Sequence, residues 1–148
     1  DGGDKVTYSE KKAWLSRYQI SLKREKVLAD EIEVLRSRAC RVTPALTGMP
    51  GGPSDGQSLP RAVESIQQAQ QDLQDQIAQC ESIRREIVEV IAHQVTDPLD
   101  NEILCRRYLC GQKWEKIAVE LNYAYQYVCQ RHKRAIAKLL IESYIDQR

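Results

Sequence analysis

The strongest constraint on this chain is a hydrophobic register that alternates steps of four and three along two long stretches. Residues 9–41 contain neither proline nor glycine, and through their end Leu28, Ile32, Leu35, Ala39 and Val42 keep a four-three-four-three spacing. Trp14 or Leu15, Tyr18 and Leu22 carry the stripe upstream after a break near Glu25. A second register runs through Leu59, Val63, Ile66, Gln70, Leu73, Ile77, Cys80, Arg84, Ile87 and Ile91, with Ile83 beside the Arg84 interruption. A period of about 3.5 residues gathers these side chains into one seam on a helix, and such a seam requires a partner helix. Between the two lies TPALTGMPGGPSDGQS, about residues 43–58, which holds three of the five prolines and four of the seven glycines. That composition marks a loop. The first helix is therefore expected to fold back antiparallel on the second, and a homodimer through the long helices is the alternative use of the same seam.

Charge supports the intramolecular pairing. Residues 1–42 carry ten Lys/Arg against seven Asp/Glu, residues 43–97 three against eight, and residues 98–148 nine against six, beneath a net charge of only +1. A basic arm facing an acidic arm is attractive. At 148 residues the chain has room for one small domain plus an extended element. Scarce glycine and proline, with no phenylalanine, favour amphipathic helices over a sheet-based core. The fold class expected is all-α: a hairpin over residues 1–95, then a separate domain over residues 96–148.

Other classes are poorly served. The five cysteines, Cys40, Cys80, Cys105, Cys110 and Cys129, are odd in number and never spaced C-x-x-C, and His93 and His132 are the only histidines. Neither a zinc site nor a disulfide framework is expected, and reduced thiols point to the cytoplasm. No apolar run reaches membrane-spanning length. The opening DGGD, without methionine, is expected to be a trimmed end. GMPGGPSDG lacks the Gly-Lys-Ser/Thr of a phosphate-cradling loop, and no His, Cys and acid are placed as a nucleophilic site. No enzyme activity, cofactor or metal is expected.

Thr96-Asp97-Pro98 reads as a stop and a new helix start, capped by Asp97 or Thr96. Three elements should follow, over residues 99–109, 113–121 and 124–145, separated by Gly111 and by Asn122-Tyr123. Ala118, Asn122 and Val128 stand in the order a helix-turn-helix requires. The alanine lets two helices cross closely, Asn122 tolerates a left-handed turn, and Val128 packs the second helix on the first. The pattern alone serves DNA binding and plain packing equally.

The segment RRYLCGQKWEKIAVELNYAYQYVCQRHKRAIAKL, residues 106–139, resembles region 4 of sigma-70-type factors. Tyr108, Gly111, Ile117, Ala118, Leu121, Val128, Arg134, Ala135 and Ile136 occupy matching places. With its SRYQISLKREK helix and VTPALTGMPGGPSDGQ loop, nearly the whole chain looks like a phage-encoded family of Gram-positive bacteria, related to late-gene transcription regulators of the RinA and ArpU kind. The resemblance implies a DNA-binding transcription regulator in the bacterial cytoplasm, with double-stranded DNA and RNA polymerase as partners. Three positions depart from the pattern. Lys113 and Ala124 stand where hydroxyl caps are usual, a loss worth about 1 kcal/mol each. Arg131 replaces an apolar residue on the packing side, leaving only its aliphatic stem for burial.

Steps of about 100° from Val128 sort the last helix by face. Gln126, Gln130, Lys133 and Ala137 lie opposite Val128, flanked by Cys129 on one side and by Tyr127 and Arg134 on the other. Tyr125 lies closer to the buried side, and Tyr123 belongs to the turn. Gln126 and Gln130 suit adenine edges in the major groove. Arg131, Lys133, Arg134 and Lys138 suit phosphates, because residues 124–141 contain no acid. The DNA-facing set is thus Gln126, Tyr127, Cys129, Gln130, Arg131, Lys133, Arg134 and Lys138. Its bland competitor is a solvated helix face. His132 and Trp114 are expected in the core, and Arg106 and Arg107 reach DNA or pair with Asp100 and Glu102. A coiled-coil adaptor that binds polymerase or a sigma factor without reading DNA is the second functional reading.

Overall fold

A computed structural model describes residues 5–47 and 58–146, with side chains described for all of these except residues 42–47 and 58. The described chain is helical throughout, without a strand: α1 Tyr8–Thr47, α2 Ser58–Gln94, α3 Pro98–Leu104, α4 Trp114–Leu121, α5 Tyr125–Ala137 and α6 Glu142–Ile145. A π-helical turn, Cys105–Leu109, extends α3. The long first helix pairs with the second, as the two seams require. The backbone of α1 stays helical as far as Thr47, so of the expected loop only residues 48–57 remain, outside the described residues.

The start of α1 is a capping box in TYSE. The Thr7 amide donates to Glu10 Oε2 at 2.7 Å and the Glu10 amide to Thr7 Oγ1 at 3.2 Å, satisfying two donors that a helix start leaves orphaned. At α3 it is Asp97 that caps, its Oδ1 accepting from the Leu99 and Asp100 amides at 2.9 and 3.0 Å, with Pro98 in the first turn.

Packing divides the chain into two compact units that do not follow a boundary at residue 95: one joins residues 1–20 to 81–148, the other spans 21–80. In the first, Trp14 and Leu15 of α1 and Ile87, Val90 and Ile91 of α2 share a buried cluster with Leu104, Tyr108, Ile136, Leu139 and Ile141. Here the ends of the long helices supply core to the C-terminal helices. Arg17 ties α1 to α2 at Glu86, 2.7 Å away.

In the second unit Ile32, Ser21, Gln76 and Cys80 are buried, and Leu28, Leu35, Ala39, Ile66 and Leu73 half-buried. Gln76 Nε2 donates to Ser21 Oγ at 2.8 Å and to the Ser21 carbonyl at 3.2 Å. The seam of α2 differs in phase from the register read in the sequence. Gln76 faces in while Ile77 is 45 % exposed, and Ile83 is half-buried while Arg84 is exposed. The stripe is Ile66, Ala69, Leu73, Gln76, Cys80, Ile83 and Ile87, alternating three and four, which sheds the Arg84 interruption altogether.

The final helix breaks where a continuous one was expected over residues 124–145. After Ala137 the chain turns through Lys138 and Leu139 before α6 begins. Three remote contacts hold the break. Lys11 Nζ donates to the Ala137 carbonyl at 3.0 Å, while Gln94 both donates to the Leu140 carbonyl and accepts from its amide, at 2.8 and 2.7 Å. These satisfy backbone groups that a helix end exposes, and the turn lets Leu139 and Ile141 both point into the core.

Candidate nucleic-acid interface

α4 ends on Asn122, whose backbone is left-handed at φ 60°, ψ 42°. The Tyr123 amide reaches the Ala118 carbonyl at 3.0 Å and the Asn122 amide the Val119 carbonyl at 3.2 Å, the two bonds of a Schellman turn. Asn tolerates this conformation better than most residues, which is why the chain turns here without glycine. Ala124 then starts α5 with extended geometry and no side-chain cap, as Lys113 does for α4. The pair closes on Ile103, Ile117, Ala118 and Val128, with Leu99, Trp114 and Leu121 around them.

His132 sits behind this contact, 4 % exposed. Its Nε2 shares a hydrogen bond of 2.7 Å with the Tyr108 hydroxyl, and the Trp114 ring meets the imidazole edge-on with centroids 4.3 Å apart. Burial, reinforced by Lys12 and Arg107, lowers its pKa to about 4. It is a neutral core histidine, and Arg107 covers the other ring of this group, 4.8 Å from the Trp114 centroid. Opposite, Gly111 turns the chain at φ 68°. A Cβ there would lie 2.6 Å from Gln19 Oε1, and the same amide donates to the Tyr108 and Leu109 carbonyls.

With Val128, His132, Ala135 and Ile136 turned inward, the solvent face of α5 presents Gln126, Gln130, Lys133, Arg134 and, just past its end, Lys138. Lys133, Arg134 and Lys138 form no ion pair with any described residue. Tyr127 is 38 % exposed and Cys129 half-buried. Six of the eight expected residues are thus exposed and Cys129 half-buried. Arg131 does not join them as a free cation. Its Nε donates to Asp100 Oδ1 at 2.7 Å and its Nη2 to Asp97 Oδ1 at 2.6 Å, so two carboxylates at the start of α3 neutralise it and its role is to tie α5 to α3.

Arg106 is likewise engaged, by Glu102 at 2.9 Å and by Glu120 across on α4. Tyr125 corrects the helical-wheel reading. It is 48 % exposed, because it lies in the first turn of α5, ahead of Val128, the first residue of the helix that packs on α4. Cys129, one turn further along α5, holds the Tyr125 phenol above the usual pKa.

The tyrosines of the YAYQY run also form a surface of their own. Tyr123 and Tyr127, four apart, pack with tilted rings, centroids 5.2 Å apart and planes at 33°. Tyr123 and Tyr125 line a shallow groove with Val119, Asn122, Ala124 and Glu115, and Val119 is 79 % exposed. Its sequence signals are the three tyrosines at positions 123, 125 and 127 and Val119, which falls off the Ile117, Ala118, Leu121 face. Among the described residues no group of His, Cys, Asp and Glu is placed to hold a metal ion, and no helix is long and apolar enough to cross a membrane. Comparison of the chain with protein-family models, with curated proteins and with solved structures returned no match.

Proposed function

We propose that the protein is a sequence-specific DNA-binding transcription regulator of phage or prophage origin, with α5 as the recognition helix in the major groove and no catalytic role. The observation that carries this reading is the face of α5: two exposed glutamines one turn apart, followed by unpaired Lys133, Arg134 and Lys138, on a helix seated through an Ala118–Val128 crossing. Gln126 and Gln130 read base edges, each good contact contributing about 1–3 kcal/mol of discrimination. The cations hold phosphates and make binding fall with salt. Contacts with RNA polymerase belong to the same proposal, as does a cytoplasmic location.

The test is fluorescence anisotropy against DNA from upstream of phage late genes, over a series of salt concentrations. The wild type is expected to bind with a linear log–log salt dependence, and Gln126→Ala/Gln130→Ala/Lys133→Ala to lose at least about tenfold in affinity. Equal binding by the triple variant would sink the recognition-helix assignment. A second reading, an adaptor that binds polymerase or a sigma factor without reading DNA, is favoured by the exposed Val119, Tyr123 and Tyr125 surface and the two uncapped helix starts. Polymerase capture that persists with no DNA footprint at moderate salt selects it.

A further inference from the structure

The side of α1 turned away from the seam carries a second apolar stripe. Ile20, Val27 and Val34 recur at intervals of seven on this one continuous helix and are 64, 64 and 49 % exposed. At about 100° per residue, Val27 and Val34 stand roughly 140° and 200° round from the buried Ile32. The pairing with α2 therefore leaves them uncovered. The charges around Val27 are mirrored in sign: Lys23 and Arg24 precede it by four and three residues, Asp30 and Glu31 follow it by three and four. All four are exposed, and none has an ion-pair partner among the described residues.

We infer that this stripe is a homodimer surface on which two copies of α1 pack antiparallel about a two-fold axis at Val27. That register sets Val27 against the partner's Val27 and Ile20 against the partner's Val34. It also brings Arg24 beside the partner's Glu31 and Lys23 beside the partner's Asp30, and the symmetry repeats each pair. An in-register parallel pair would instead set basic beside basic and acid beside acid. Seven-residue spacing is the repeat that keeps a stripe facing a partner along a supercoil, and a two-fold contact must be complementary to itself, as this one is around Val27; at its ends Arg17, which comes beside the partner's Arg38, is already neutralised by Glu86.

A separate observation asks for such a partner. In the unit spanning residues 21–80, Ile32 and Cys80 are the only fully buried apolar side chains among the described residues. Two paired helices with so little core are marginal on their own. A second helix pair supplies the missing burial. The inference does not depend on what α5 binds.

Sedimentation equilibrium of the full chain between about 1 and 100 µM tests it, since that range spans dimers of modest affinity. The wild type is expected to dimerise. Val27→Lys, which sets two ammonium groups face to face, should weaken the dimer at least about tenfold, while circular dichroism at low temperature shows that the chain still folds into helices. Arg24→Glu alone should weaken it, and Arg24→Glu combined with Glu31→Arg should restore it. A wild type that stays monomeric at about 100 µM overturns the inference and leaves the stripe to a different protein. A dimer indifferent to Val27→Lys, or a charge swap without restoration, overturns the register.

Discussion

His132 makes the fold sensitive to mild acid. Its folded pKa of about 4 lies below the ordinary 6.5 because burial penalises the imidazolium and Lys12 and Arg107 add to that penalty. The unfolded chain therefore takes up a proton that the folded chain resists. The stabilisation is complete above about pH 6.5 and is lost progressively as pH falls toward 4, amounting to about 2 kcal/mol by pH 5. Asp97 acts in a lower window. Its pKa is depressed below 3.8, first by the Asp100 amide and then by Arg131, so its contribution fades only as pH falls below that value. Urea unfolding at pH 7.5 and 5 should show the wild type losing about 2 kcal/mol and His132→Gln losing far less. A flat wild-type profile would contradict the buried neutral imidazole. Arg131 separates holding the fold from holding DNA. Arg131→Met is expected to lower stability by removing the tie to Asp97 and Asp100 and to leave the salt slope of DNA binding unchanged. Lys133→Met should do the reverse, lowering the slope by about one with little effect on stability. Salt titrations of the two variants decide it. The pattern puts Arg131 on the packing side of α5, and its side chain is 25 % exposed. Its partners Asp97 and Asp100 lie 34 and 31 residues away in sequence, and no local pattern announces them.

At the scale of elements, what could be read was whatever repeats. The four-three alternation, the Asp97-Pro98 start and the Asn122 turn are local signals, and the hairpin and helix-turn-helix follow from them. The phase of α2 is a different matter. Ile66, Leu73, Cys80 and Ile87 serve both readings, and the choice lies between Val63, Gln70, Ile77, Arg84, Ile91 and Ala62, Ala69, Gln76, Ile83, Val90. The two sets are similarly apolar, so hydrophobicity alone does not decide; Ser21, across on α1, supplies the hydrogen bonds that bring Gln76 inside. The break after α5 is equally remote in origin, since KLLIES has no glycine or proline and Lys11 and Gln94 come from the long helices. The Gln76–Ser21 pair yields an asymmetric prediction. Gln76→Ala should cost about 1–3 kcal/mol by leaving the Ser21 hydroxyl poorly satisfied and a gap in the seam. Gln76→Leu with Ser21→Ala should be neutral or stabilising, because both polar partners leave together. If the double variant were the less stable, the pair would contribute more than register. Chemical denaturation of both variants measures this.

Across the whole molecule the two units differ in how much apolar surface they enclose, and this sets where the chain opens first. Residues 1–20 with 81–148 enclose Leu15, Ile87, Ile91, Leu104, Ile117, Val128 and Ile136, all at or near zero exposure, whereas the described residues of 21–80 enclose little beyond Ile32 and Cys80. Local opening costs least where few apolar contacts must be broken. Amide hydrogen exchange is accordingly expected to be faster over residues 22–41 and 62–79 than over 87–91, 117–118 and 128–136. Dimerisation through Val27 adds a concentration dependence to the first group alone. When exchange proceeds through the dissociated chain, well above the dimer dissociation constant, the monomer fraction falls as the square root of concentration. Each tenfold increase in protein then slows exchange in residues 22–41 about threefold. Residues 128–136 should exchange at a rate indifferent to concentration, and Val27→Lys should abolish the dependence in the hairpin without altering α5. Concentration-independent exchange throughout a wild-type chain that sediments as a dimer would mean that the dimer forms elsewhere than on α1.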